Sequence, residues 1–428
     1  MLMTMRTVTG PSMTLDPAKA GAVFAGADEL RRDAFGMPVA VRDDGAWLLP
    51  MDEHQLTLGR TGAGKTVSAA LPQAALAARN TDCDLVIIDA KDTLRAELEP
   101  VCVAAGMQVR VIDLRDPRRD TYNLLEEPAV ALRAGDARRA EALLASTFEP
   151  LATSVRDDDD PIWSMYAEKL LTETFRALVE AFPDKTPTMT TVVEVAVSID
   201  ALNQLMAKCS KDTQKRLSAV MRIGKADSTW GGIVFTAEAA CAFFTGAVGR
   251  AVGAASSFDV RDDFCGPERT ALFLVCPDEA DDADAFASQM LNRVYVDRVS
   301  AYETAGAEGR AALRDVHVFM DEAGRFPRSC IRELLSTGRS RGIYLHLFMQ
   351  SSSQLSEVAY TEKEAAVMLE QVRTTVVMQG TDEYADRLVA RMTGMDEGRS
   401  LCNCLGVGDA LVVRAGRPVL RTHLAAYA

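Results

Sequence analysis

The sequence predicts an α/β fold, a mostly parallel sheet interrupted by an inserted all-α domain. Three observations carry that prediction. An apolar strand at Gln55 runs straight into a glycine-rich loop and a helix; strand and helix patterns alternate up to Asp113 and again from Thr270; the stretch between them has helical spacing almost throughout.

The loop is Gly59-Arg60-Thr61-Gly62-Ala63-Gly64-Lys65-Thr66, which fills every fixed position of the phosphate-binding pattern Gly-x-x-x-x-Gly-Lys-Thr. Its glycines let the backbone turn N–H groups inward at a helix N-terminus, so residues Gly59 to Val67 are the candidate nucleotide contacts. Lys65 is placed to reach the β- and γ-phosphates. Thr66 offers a hydroxyl to Mg2+, and Val67 to Ala78 supplies the helix dipole behind the loop.

Before the loop, residues 1–50 form a lead-in with a helical pattern at Asp28 to Asp33 and an extended piece at Gly36 to Val41. After it, Leu85 to Asp89 and Gln108 to Asp113 read as buried parallel strands flanking a helix at Thr93 to Ala105. The β signal stops after Tyr122-Asn123-Leu124-Leu125. Asp136 is a candidate N-cap for a helix through Phe148. The clearest helix presents Trp163, Tyr166, Ala167, Leu170, Leu171, Thr174, Leu178 and Phe182 on one face, and helices are expected over Thr190 to Met206 and Lys211 to Met221. The acidic run Asp157 to Asp160 reads as a solvated loop. The domain division that follows is a nucleotide-binding domain at 51–127 and 228–428, with the all-α insertion at 128–227.

Alternation resumes with a strand at Thr270 to Cys276, a long helix over Ala280 to Ala305, and the strand Val316 to Asp321, which ends in the paired carboxylates Asp321-Glu322. Such a pair suits phosphoryl transfer: Asp321 would hold Mg2+ and Glu322 would polarise the attacking water. Then come a helix at Ile331 to Thr337, strands at Ile343 to Met349 and Thr374 to Met378, a helix after Thr381, and extended pieces at Asp409 to Arg414 and Pro418 to Thr422. Gln350 closes one of those strands, where it either senses the γ-phosphate through water or is merely a polar strand end. Arg339 and Arg341 lie in the loop before it, and a planar guanidinium there suits a phosphate contributed across a subunit boundary.

Composition narrows the setting. A chain of 428 residues with 48% hydrophobic content fills sizeable cores, and no run of eighteen uncharged apolar residues appears; the nearest, Gly231 to Phe258, is broken by Glu238 and Arg250. Nine cysteines without a C-x-x-C pair fit a reducing cytoplasm, and the close pair Cys402 and Cys404 has no histidine nearby in sequence. Net charge is −14, so any DNA contact must be local.

Taken in order, the motifs resemble those of type IV secretion system coupling proteins, the TraG/TraD-like conjugative ATPases. Ile87-Ile88-Asp89-Ala90-Lys91-Asp92 resembles the family's Asp-Pro-Lys-Gly-Glu, Tyr122-Asn123-Leu124 its Tyr-Asn-Pro, and Pro161-Ile162-Trp163 the start of its all-α domain. Most specific are Met320 to Phe326, Thr337 to Ile343 and Met349 to Leu355, and the likeness runs from Gly21 to Tyr427. The resemblance implies a RecA-like P-loop NTPase core assembling as a homo-hexamer from a monomer in isolation, with ATP and Mg2+ as cofactors. It implies Lys65, Thr66, Asp321 and Glu322 in hydrolysis, Gln350 as sensor and Arg339 as the trans-acting finger, with Arg341 the alternative. Implied partners are secretion-channel components, relaxase or effector adaptors, and DNA, with the protein at the cytoplasmic face of the inner or plasma membrane, reaching the membrane through partners or a missing segment. Two departures stand out: Ala90, Asp92 and Thr93 replace the second motif's Pro, Gly and Glu, so that segment is given no catalytic role, and the N-terminal membrane pair of many members is missing. The alternatives are a DNA pump of the FtsK/HerA type and a nucleotide-gated adaptor; the helical insertion argues against the first and Glu322 against the second.

Overall fold

The computed structural model describes residues 36–42, 45–50, 52–155, 162–223, 227–277, 283–325, 328–356, 360–393, 402, 404–414 and 419–424. The expectations at Gly21 to Ala25, Asp28 to Asp33, Asp157 to Asp160, Pro161, Phe326, Pro418 and Tyr427 lie outside them.

The chain opens with an antiparallel pair, β1 (Gly36–Arg42) and β2 (Gly45–Pro50). The main sheet has nine strands: β3 (Gln55–Leu58), β4 (Cys83–Asp89), β5 (Gln108–Asp113), β6 (Thr270–Val275), β7 (Asp315–Met320), β8 (Ile343–Met349), β9 (Thr374–Met378), β10 (Asp409–Arg414) and β11 (Leu420–His423). Their spatial order is β11-β10-β9-β3-β8-β7-β4-β6-β5, parallel from β9 to β5 and antiparallel at β10 and β11. β8 therefore separates the strand feeding the phosphate loop from the strand ending in the acid pair. All parallel strands point the same way, so loops from β3, β4, β7 and β8 emerge along one sheet edge, where ligands of open α/β sheets bind.

Strand alternation feeds two cores. On β4, Val86 and Ile88 face one side, while Leu85 and Ile87 face the other. The second side is covered by α1 (Leu71–Asn80) and α2 (Thr93–Ala104). Alanines at 74, 75, 77 and 78 allow α1 to lie close on the strands.

The first side carries the helical block. It comprises α3 (Glu126–Arg133), α4 (Ala137–Ser154), α5 (Ile162–Ala181), α6 (Met189–Ala196), α7 (Ile199–Met206), α8 (Lys211–Ile223), α9 (Asp227–Ala240), the short α10 (Ala242–Thr245) and α11 (Ala247–Val252), then α12 (Val260–Cys265). Asp136 does cap α4, accepting the Arg139 N–H. The apolar stripe of α5 buries Leu170, Leu171 and Phe175 completely, each worth about 1.5–3 kcal/mol against exposure. The stretch Thr190 to Met206, read as one helix, is two: Ser198 leaves helical geometry and its side chain caps α7 at Ala201 N–H. Helices also continue beyond residue 227, where the core was expected to resume, up to α12. α9 packs on α5 closely enough that a Cβ on Gly232 would meet the Trp163 ring at 2.9 Å.

The chain's entry before α3 and its return after α11 are tied together. Thr121 O accepts from Ser257 N (2.9 Å), Tyr122 N donates to Val252 O (2.9 Å), and Asn123 N donates to Ser256 Oγ (3.1 Å). The Asn123 side chain donates to Pro187 O (3.1 Å) and accepts the Leu125 N–H (3.0 Å). That explains the Tyr-Asn motif as a neck. The block rests on α13 (Ala283–Thr304), which precedes α14 (Ala307–Ala312) and β7. The remaining helices are α15 (Arg328–Thr337), α16 (Glu362–Gln371) and α17 (Glu383–Thr393). Among the described residues no helix is long and apolar enough to cross a membrane.

Candidate nucleotide site at the strand ends

β3 delivers the phosphate loop directly onto α1. Gly64 has φ +97°, a left-handed value that a side chain would strain, and the helix starts from it with wide turns over Lys65–Ala70, Leu71 N donating to Thr66 O. Lys65 is folded inward, its Nζ donating to Gly59 O (2.6 Å) and Arg60 O (3.4 Å). Burial lowers its pKa, against the pull of Glu322 and Asp321. The ammonium has thus been stripped of water and tied to carbonyls of its own loop, a weak substitute for the phosphate oxygens it would meet there.

The rest of the loop is clamped from β9 and β10. Arg60 N donates to Gln379 O (2.9 Å) and its guanidinium holds Gln379 Oε1 at 2.9 and 3.2 Å, while Gly408 N donates to Ala63 O (3.2 Å). Thr61, Gly62 and Val67 are exposed; Thr66 is half-buried.

β7 ends in the acid pair. Asp321 N donates to Ile88 O (3.1 Å), so the turn after β7 is stitched to the end of β4. Burial, and then the Glu322 charge beside it, push the Asp321 carboxyl up to about 6. Glu322 takes φ +50°, a left-handed backbone in a residue with a Cβ, at a cost of order 1 kcal/mol. The following Gly324 admits no side chain, since a Cβ would stand 2.6 Å from Gln354 Cβ.

Gln350, at the end of β8, joins loop to acid. Its Oε1 accepts from Thr61 Oγ1 (3.1 Å) and its Nε2 donates to Glu322 Oε1 (3.3 Å). Gln354 holds the turn by accepting from Gln350 N (2.9 Å), and Asp382 accepts from Ser351 Oγ (2.9 Å) and Ser352 N (2.7 Å). The expected cluster of Lys65, Thr66, Asp321, Glu322 and Gln350 thus stands along one edge.

Arg339 does not join it. It lies in the turn Gly338–Arg341 at the opposite end of β8, whose seven residues span roughly 20 Å. Arg339 is exposed; its backbone O accepts from Gly342 N (3.2 Å) but, among the described residues, its guanidinium makes no hydrogen bond or ion pair, whereas Arg341 donates to Thr337 O (3.2 Å) and Ser340 Oγ (2.9 Å). Just before β3, His54 accepts the Leu345 N–H (3.0 Å); burial, with the Arg339 charge nearby, lowers it to about 4.

Sequence reasoning passed over Lys91, whose Nζ is 3.4 Å from Glu322 Oε1. The available signal was its place two residues beyond the β4 strand end, in the motif that departs at its neighbours. Gln379 and Asp382 carried no signal, because their contacts join loops apart in sequence, whereas Gln354 lies within the Met349 to Leu355 motif and holds Gln350 only four residues away.

The geometry fits a nucleotide and a divalent ion: an inward cation, a hydroxyl at the helix start, and a buried acid pair at the end of β7. A family model described as "Type IV secretory system Conjugative DNA transfer" matches residues 6–397. The chain belongs to this family. Among solved structures it is similar to the plasmid coupling protein TrwB in complex with ADP and Mg2+ (TM-score 0.64, 18% identity, covering 94% of this chain and 92% of that one). It is also similar to TrwB with a non-hydrolysable GTP analogue (0.62, 17%, 93% and 91%) and to VirB4 of Thermoanaerobacter pseudethanolicus (0.56, 14%, 92% and 97%). At these identities the likeness is one of fold, and that fold is the RecA-like P-loop NTPase core of the family. No curated protein sequence matches the chain significantly.

Proposed function

We propose that this member of the conjugative DNA transfer family is an ATP-hydrolysing coupling protein that passes relaxase-bound DNA, or a protein substrate, to a type IV secretion channel. The observation that carries the hydrolytic part is the line Thr61–Gln350–Glu322, which ties the phosphate loop to a candidate base through one amide. The TrwB structures with ADP and Mg2+ support the choice of ligand. Lys65 exchanges its own loop's carbonyls for β- and γ-phosphate oxygens. Thr66 and Asp321 would hold Mg2+, which when bound would supply charge neutralisation for the phosphates. Glu322 accepts a proton from the attacking water, and Gln350 responds to loss of the γ-phosphate because both of its amide atoms are already committed to loop and acid.

Arg339 lies too far from its own loop to serve it. Its exposed guanidinium suits a neighbour's site, which makes a ring, a homo-hexamer by family likeness, the functional form, assembled at the cytoplasmic face of the membrane with channel components and adaptors as partners. The domain reading is a nucleotide-binding core with the helical block inserted at its neck.

The experiment is ATP turnover by the full chain against protein concentration, with and without single- and double-stranded DNA, alongside mass in solution. Turnover per subunit should rise as rings form and respond to DNA. Mixing Arg339→Ala with Lys65→Ala subunits should restore part of the activity each lacks alone; no recovery would remove the trans role. Tight nucleotide binding without turnover under every condition would leave an adaptor instead of a motor.

A further inference from the structure

β4 and β7 are neighbours in register, Ile88 opposite Met320, so the turns that follow them lie side by side. Lys91 sits on one and Glu322 on the other. The first turn is rigid: Asp89 accepts from Lys91 N (3.0 Å) and Arg95 N (2.9 Å), and Asp92 has φ +60° with its carboxylate held by Arg95 and by Arg115 (2.6 Å). The Lys91 backbone is therefore anchored, while its side chain, 53% exposed, reaches across to Glu322 Oε1.

That oxygen also takes the Gln350 Nε2 donor, so two donors from opposite sides, one after β4 and one after β8, converge on Oε1. Among the described residues no donor reaches Oε2. A carboxylate fixed through one oxygen presents the other in a defined direction, which is what a base needs if its water is to be held for in-line attack. The Glu322 backbone is itself left-handed, at φ +50°.

We infer that Lys91 is a positioning residue for Glu322, holding its carboxylate so that Oε2 faces the attacking water. This rests on the reading of Glu322 as the base. It assigns a role to a motif whose neighbouring residues depart from the family pattern, and it explains why the lysine remains useful there: the anchoring is done by Asp89, Asp92, Arg95 and Arg115, not by the missing Pro and Gly.

The test is steady-state Mg2+-ATP hydrolysis by the full chain in five forms, wild type, Lys91→Met, Lys91→Arg, Glu322→Gln and the Lys91→Met/Glu322→Gln double variant, with binding of a fluorescent ATP analogue and melting temperature measured in parallel. Lys91→Met should lower kcat roughly 10- to 100-fold, the scale on which a displaced catalytic group costs rate, with KM and analogue binding within about twofold of wild type. Lys91→Arg should recover most of the lost kcat, and the double variant should fall no further than Glu322→Gln alone. An unchanged kcat in Lys91→Met overturns the inference. So does a loss that resides in KM and analogue binding, which would make Lys91 a phosphate contact, or a double variant well below Glu322→Gln. Normal turnover by Glu322→Gln would instead remove the base reading, whereas an inactive Glu322→Gln beside an unaffected Lys91→Met removes only the role of Lys91.

Discussion

Two buried carboxylate pairs invite comparison, Asp321 with Glu322 at the end of β7 and Glu127 with Asp297 where the helical block meets α13. In each, one acid is pushed up: Asp321 to about 6, Asp297 to about 7, both by burial first and the neighbouring carboxylate next. Their partners differ. At the junction, Tyr122 donates to Glu127, and Arg139 spans Glu127 (2.9 Å) and Asp297 (3.0 Å). Arg293 nearby is pinned to Leu124 O (2.9 Å) and Thr147 Oγ1 (3.2 Å). These cations are built into the packing. At the strand end the cations are Lys65, tied to its own loop, and Lys91, on a half-exposed stem. A perturbed acid alone does not mark a site; what marks one is a cation able to change partners beside loop N–H groups able to receive a ligand.

The largest effect that sharpens the contrast is at Lys65. Lys65→Ala should abolish measurable ATP turnover, while an alanine at Arg139 should leave turnover per folded subunit within about twofold. Next, Glu322→Gln should reduce kcat by about 100-fold or more and keep ATP binding, checked by nucleotide binding and single-turnover hydrolysis. Arg139→Ala, which strands two buried acids, should cost about 1–3 kcal/mol of stability in urea unfolding. No loss there would mean that the junction holds the block by apolar packing alone.

The smallest effects are in pH. A buried acid whose folded pKa lies above its unfolded value is held more tightly as the protonated form, so it adds stability as pH falls through the folded pKa. Comparing melting curves at pH 7.5 and 5.5, Asp297→Asn and Asp321→Asn should each lose part of the wild-type gain on acidification. Only Asp321→Asn should also lose Mg2+-dependent nucleotide binding, and in wild type that binding should weaken below about pH 6 as Asp321 takes up its proton. Equal effects on binding from both variants would erase the distinction between the two pairs.

Much of this was legible in the sequence, for physical reasons. Buried parallel strands such as Leu85 to Asp89 and Thr270 to Cys276 read plainly because both faces are covered, leaving short apolar runs. The phosphate loop and acid pair were legible because their chemistry is local. The helices after residue 227 were not, since α9 is apolar around much of its circumference and contains Gly231 and Gly232, which blur a helical period. The Lys91 contact was hidden for another reason: it joins turns 231 residues apart. The far position of Arg339 became clear only once β8 was seen to run parallel to β3 with the loop at its other end.

That parallel pairing also sets an order of assembly. β3 comes early in the chain, yet its neighbours are β8 and β9, with Leu58 opposite both Met349 and Val377. A nascent chain halted before residue 343 therefore has its phosphate loop but no strand beside it, and bringing β8 back to β3 across nearly three hundred intervening residues is a slow, non-local step. The edge that holds the phosphate loop is complete only once β8 and β9 have been made, so a product truncated before them carries the motif without the strands that brace it.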